Sequence, residues 1–129
     1  PRIKYLGVIP NMEVLAVQKT ARLLINPRFE NYAYTKYTFP SKILEYMISG
    51  RPVAMTRLDG IPPEYYDCVY EIKDSSVEGL VDCINRILGQ SESSLCEMAD
   101  RAYDFISSSK GESLQGHRLL DFCEKIVGA

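Results

Sequence analysis

The sequence predicts an α/β fold: a parallel β-sheet with helices on both faces, followed by a helical C-terminus. Three observations carry this. Short apolar runs without polar alternation recur at residues 22–26, 52–56 and 68–72, the pattern of strands covered on both faces. Stretches of helical periodicity lie between and after them. Glycine, proline, serine or asparagine marks most junctions, as turns and caps require.

Ile3 to Ile9 (IKYLGVI) is an apolar run stopped by Pro10 and reads as the first buried strand. Asn11 offers an N-cap, with Glu13 in the first turn of a helix to about Thr20, along which Met12, Leu15, Ala16 and Lys19 follow. Arg22 to Asn26 (RLLIN) is the second strand. Pro27 to Thr38 is a polar, aromatic loop holding Tyr32, Tyr34 and Tyr37; loops of this length are often functional. Pro40 suits the first turn of a helix running to about Ser49, and Gly50 the left-handed position after it. Pro52 to Thr56 and Cys68 to Ile72 are the remaining strands, with a helical turn expected at Pro63 to Asp67.

Three helices close the chain. Ser75 with Glu78 makes a capping box for the first, whose face is Val77, Leu80, Val81, Ile84, Ile87 and Leu88, with Gly89 ending it. Leu95, Met98, Ala99, Ala102, Tyr103 and Ile106 mark the second, up to a break at 107–111. Leu119, Leu120, Cys123, Ile126 and Val127 mark the third. Residues 1–90 form the α/β core and 91–129 the C-terminal helices of a single unit. Ligands of parallel sheets bind at the carboxyl ends of the strands, here Gly7–Pro10, Asn26–Tyr37, Thr56–Gly60 and Lys73–Ser76.

The 129 residues are 46% hydrophobic and 25% charged, with a net charge of -2. That length buries a core without disulfides, and the charge gives nothing to neutralise a nucleic-acid backbone. No apolar run approaches a membrane span. Cys68, Cys83, Cys96 and Cys123 form no CxxC pair, and His117 has no partner at zinc spacing. Buried, reduced thiols of a cytoplasmic protein are the expectation. A start at Pro1, with a strand two residues on, is what an excised segment of a longer protein looks like.

The most informative stretch is Phe39 to Gly50, FPSKILEYMISG. On a helical wheel at about 100° per residue, Ser41, Glu45, Ser49, Lys42 and Tyr46 fall within roughly 140°. Ile43, Met47, Leu44 and Ile48 fill the opposite arc, which must pack on the sheet. A helix N-terminus with Ser41 and Lys42 suits phosphate oxygens. Glu45, one turn deeper, would repel phosphate but can accept two hydrogen bonds from a ribose diol. A solvated polar arc is the plainer alternative.

The run Thr35 to Asp67, TKYTFPSKILEYMISGRPVAMTRLDGIPPEYYD, resembles the donor-binding segment of retaining GT-B glycosyltransferases of the large family four, builders of capsules, exopolysaccharides and lipopolysaccharides. LLINPR (Leu23–Arg28) is similar to the family's strand-then-proline element, and the likeness spans about residues 2 to 90. The resemblance implies a Rossmann-like half of a GT-B fold, apparently truncated. It implies that Glu45, matching the second glutamate of the E-x7-E motif, holds the donor ribose. It places Phe39, Pro40, Ser41 and Lys42 near the diphosphate and donor sugar. Gly7, Val8, Ile9 and Pro10 match the turn that meets the nucleobase, and Asn26 to Arg28 (with Asn26 and Arg28 as lining residues) the strand end beside it. Gly50 and Pro52 match structural positions.

One departure stands out. Tyr37 occupies the place of the first glutamate, eight residues before Glu45; Tyr37, Lys36 or Glu30 is then left to reach the sugar. Two βα units and an acceptor-binding N-terminal domain that the family carries do not precede Ile3, so this chain alone is expected to be inactive. The parent enzyme would move a sugar from a UDP- or GDP-sugar to a glycan or lipid-linked acceptor with retention, by positioning and by stabilising the leaving diphosphate. The donor is a substrate; no other cofactor is implied, and no metal, since no DxD-like acidic pair occurs. Peripheral association at the inner face of a membrane is compatible with such a parent. The truncated sheet is expected either to pair residues 3–8 with 22–26 or to exchange strands with a second copy. Two other classes compete. A non-catalytic interaction module would keep the fold without the site. A phosphoryl-accepting receiver domain needs acidic strand ends, where Asn26 and Thr56 stand.

Overall fold

The computed structural model describes residues 2–28 and 37–128. In chain order these form helix α1 (Asn11–Thr20), strand β1 (Leu24–Asn26), helix α2 (Lys42–Met47), strand β2 (Val53–Thr56), a 3-10 helix (Pro63–Cys68), strand β3 (Tyr70–Ile72), and helices α3 (Val77–Leu88), α4 (Glu92–Ser109) and α5 (Glu112–Val127). The fold is mixed α/β with a helical C-terminus, and its sheet is small: three parallel strands in the order β1-β2-β3. Leu24 stands opposite Val53, and Ala54 opposite Tyr70.

Alternation along β2 explains the two-sided packing. All four β2 residues are buried, and successive side chains point to opposite faces. Val53 and Met55 join Leu24, Ile43 and Met47 of α2, Tyr65 of the 3-10 helix, and Ala102 and Ile106 of α4 in one core cluster. Ala54 joins Tyr70, Ile72, Cys83 and Ile87 of α3, and Leu95 of α4 in the other. Helix α4 thus contributes to both clusters, whereas α5 has no buried residue and leaves Leu119, Leu120, Phe122 and Ile126 exposed.

Several expectations are corrected. Residues 3–9 are not a strand: they pair neither with 22–26 nor with any other described strand, and Ile3, Tyr5 and Val8 are exposed. An extended run becomes a strand only where a neighbouring ladder takes its N–H and C=O groups, and Gly7 at φ +66 breaks the extended geometry as well. Pro10, not Asn11, caps α1; its carbonyl accepts from Glu13 and Val14 N–H at 2.9 and 3.1 Å. The inward residue of α1 is Gln18, while Met12 and Ala16 are exposed. The cap of α3 is Ser76, whose Oγ accepts from Gly79 N–H at 3.0 Å, rather than Ser75; Asp74 Oδ1 accepts from Ser76 N–H at 2.8 Å. Cys68 and Cys83 are buried thiols, but Cys96 and Cys123 are exposed, being on the outer sides of α4 and α5. No helix among the described residues is long and apolar enough to cross a membrane.

Candidate functional site

Helix α2 is short because its ends are set by the chain around it. Ile43 N–H bonds to Pro40 C=O at 2.9 Å and Leu44 N–H to Ser41 C=O at 3.2 Å, so it opens with a tight turn. Regular helix ends at Met47, and the chain leaves through Gly50 at φ +72, a left-handed position suited to glycine. Ile43 and Met47 are fully buried and Leu44 is half-buried, as the wheel predicts. Ile48 departs from it at 46% exposure. It lies at the margin of the apolar arc, roughly 20° from Ser41, and just past the last helical residue.

On the polar arc, Glu45 is the centre. Gln18 Nε2 of α1 donates a short hydrogen bond to Glu45 Oε1, and Lys42 Nζ donates to the same oxygen at 3.3 Å. The Gln18 bond is the main cause that holds the Glu45 carboxyl below its ordinary value; burial opposes it, and the Lys42 bond and charge add to the lowering. Glu45 is therefore an ionised acceptor at neutral pH. Gln18 is only 6% exposed, and its Oε1 has no hydrogen-bond partner. A buried carbonyl oxygen left so costs about 1–3 kcal/mol.

Beside this cluster lies a cavity of about 410 Å³, mostly apolar, walled by Leu6, Gly7 and Ile9 of the N-terminal segment, Val14 and Gln18 of α1, and Tyr46 of α2. Lys42 and Glu45 are not part of its wall; Glu45 meets it through Gln18, its hydrogen-bond partner, and Tyr46, its chain neighbour. Of the residues expected near a nucleobase, Gly7 and Ile9 thus line the cavity, Val8 points wholly into solvent, and the Pro10 carbonyl caps α1. Asn26 ends β1 opposite Met55, and Arg28 N–H donates to Thr56 Oγ1 at 3.1 Å, tying together the carboxyl ends of β1 and β2.

The residues expected near diphosphate and sugar separate. Ser41 and Lys42 sit side by side at the opening of α2, with Ser41 exposed and its hydroxyl making no capping bond. Pro40 is buried. Phe39 turns to the 3-10 helix, its ring edge-on to Tyr65 at 5.3 Å. Tyr37 is exposed. Lys36, Glu30, Tyr32 and Tyr34 lie outside the described residues.

No family model, no curated protein and no solved structure matches the chain. The site must therefore be judged on its own chemistry. Sequence reasoning missed Gln18. Its signal was there: Val14 and Gln18 share one face of α1 at helical spacing, with Ala21 just past the helix end, and a polar residue in that apolar setting needs a partner.

Just past Thr56, Arg57 follows β2 and clamps Glu71 of β3 through two bonds of 3.0 and 3.1 Å. The same guanidinium lies 4.1 Å from the Tyr66 ring centre. The Arg57 bonds lower the Glu71 carboxyl. This cation is engaged twice within the protein, which makes it a brace between strands rather than an open anion binder. Among the described residues, no group of three or more His, Cys, Asp or Glu side chains is placed to hold a metal ion.

Proposed function

We propose that this chain forms the nucleotide-sugar-binding part of a retaining GT-B-type glycosyltransferase, whose complete enzyme passes a sugar from a UDP- or GDP-sugar to a glycan or lipid-linked acceptor. The observation that carries the reading is Glu45: an ionised carboxylate fixed by Gln18 and Lys42 next to a cavity large enough for a nucleoside. A carboxylate with an oxygen to spare recognises a ribose diol by accepting from its hydroxyls, and a charged acceptor makes the stronger kind of hydrogen bond. Gly7 and Ile9 on the cavity wall support a base-binding role for that turn. Lys42, 56% exposed on its side chain, can swing from Glu45 to a diphosphate as a flexible point charge. Such a site contributes binding and charge stabilisation of the leaving diphosphate. The acceptor and the rest of the transfer machinery belong to the complete enzyme.

The second reading is an interaction module without a donor site. It is favoured by the exposed apolar residues of α5 and by Lys42 being paired to Glu45.

Thermal unfolding with UDP and with GDP separates the two. A specific ligand at a hundred times its Kd adds about 2.7 kcal/mol, and Glu45→Ala removes most of that shift. Absence of a shift with either nucleotide rejects the donor-site reading in favour of the module. A shift that survives in Glu45→Ala takes Glu45 out of the site.

A further inference from the structure

Gln18 is the buried side chain of α1, although polar, and one of its two polar atoms is unused. Turning the amide over would not help. It would set the carbonyl oxygen against the ionised Glu45 carboxylate and lose the bond between them. The orphan oxygen thus follows from Gln18 holding Glu45, and natural interiors rarely keep such an atom without a use for it. Gln18 also walls the cavity beside Glu45. Glu45 has a matching vacancy: Oε1 takes both N–H donors, from Gln18 and Lys42, leaving Oε2 to accept from something else.

Resting on the donor-site reading above, we propose that Gln18 is a second anchor for the ribose. Its Nε2 fixes Glu45, and its Oε1 accepts from one hydroxyl of the vicinal diol while Glu45 Oε2 accepts from the other. A vicinal diol presents two adjacent donors and needs two adjacent acceptors; the hydrogen-bonded Gln18–Glu45 pair supplies one from each residue. Gln18 Oε1 is closed to solvent in this structure. Binding of a sugar hydroxyl there therefore requires the side chains around Gln18 Oε1 to give way.

The test is titration calorimetry of the purified protein with UDP and GDP, each beside its 2′-deoxy and 3′-deoxy analogues, for wild type, Gln18→Met, Gln18→Glu and Glu45→Ala. Wild type is expected to prefer the ribonucleotide over both deoxy forms. Gln18→Met should weaken it about tenfold and erase the preference against one deoxy form while keeping that against the other. Gln18→Glu keeps an oxygen at this position but must share a proton with Glu45, so its affinity relative to wild type at the same pH should be higher at pH 5 than at pH 8; the ratio cancels the titration of the nucleotide's own terminal phosphate. The charged and titratable groups around position 18 are Glu45 and Lys42 on α2 and the Tyr5 and Tyr46 phenols on the cavity wall.

If wild type binds and Gln18→Met retains both preferences, the ribose role of Gln18 is overturned and the Glu45 site stands. If wild type binds neither nucleotide, both fall together. Should Gln18→Met not fold, a Gln18→Glu affinity equal to wild type at both pH values overturns the proposal, and a deficit at pH 8 that is relieved at pH 5 supports it.

Discussion

The Tyr66 hydroxyl and the Leu58 backbone close on each other: Tyr66 Oη accepts from Leu58 N–H at 2.8 Å and lies 3.3 Å from Leu58 C=O, to which it donates. Leu58 is buried, so this hydroxyl stands in for the strand partner that the chain loses as it leaves β2. Burial is the main cause that raises the phenol above its ordinary value, which keeps the proton available for donation.

Tyr66→Phe should therefore destabilise the fold by about 1–3 kcal/mol, since it strands a buried N–H. The ring remains under Arg57, so the loss reports the hydroxyl alone. Chemical denaturation should show a lower midpoint at unchanged slope. A midpoint within error of wild type would mean that solvent replaces the bond.

Two neighbouring residues of α2 should behave oppositely. Met47 is fully buried, and Met47→Ala should cost about 2–5 kcal/mol through lost contacts and a residual cavity. Ile48 is exposed, and Ile48→Ala should stay within about 0.5 kcal/mol. Equal losses at the two positions, measured by urea unfolding, would contradict the orientation of the helix.

The same chemical change should have opposite signs at two glycines. Gly50 holds φ +72 with open space around it, so Gly50→Ala loses about 1–2 kcal/mol from the left-handed backbone alone. Gly116 lies inside α5, again with open space, and Gly116→Ala gains helix propensity of up to about 1 kcal/mol for α5. Helicity by circular dichroism and the unfolding midpoint check both.

Acid should release the Gln18–Glu45 contact. The folded-state value of Glu45 is depressed below 4.5, chiefly by the Gln18 hydrogen bond and then by Lys42. The stability it contributes is complete above its unfolded value and fades as pH falls through the folded one. Glu64, Glu71 and Asp74 are lowered too and share this acid limb. Glu45→Gln should hence make the melting temperature fall less steeply below pH 4.5, without flattening it. Superimposable pH profiles would show that the contact has no energetic weight.

How legible this was in the sequence depended on whether a signal was local. β2 and the buried face of α2 were readable because Val53–Thr56 and Ile43–Met47 carry their periodicity in a few residues. Gly50 was readable because one backbone conformation needs it. The segment 3–9 was not, since apolar content reports a wish for burial and not the presence of a neighbouring strand. Gln18 escaped for a related reason: its partner lies 27 residues away, and no window of helical periodicity contains both. α5 has the apolar stripe of a packed helix and nothing to pack it on among the described residues.

Both ladders of the sheet run through β2, which is buried along its whole length. β1 and β3 can each fray from an outer edge, but β2 opens only when both neighbours leave together with α2, α3 and α4. Deuterium should accordingly enter the Ala54 and Met55 amides last, at the rate of whole-domain opening, while α5 exchanges early.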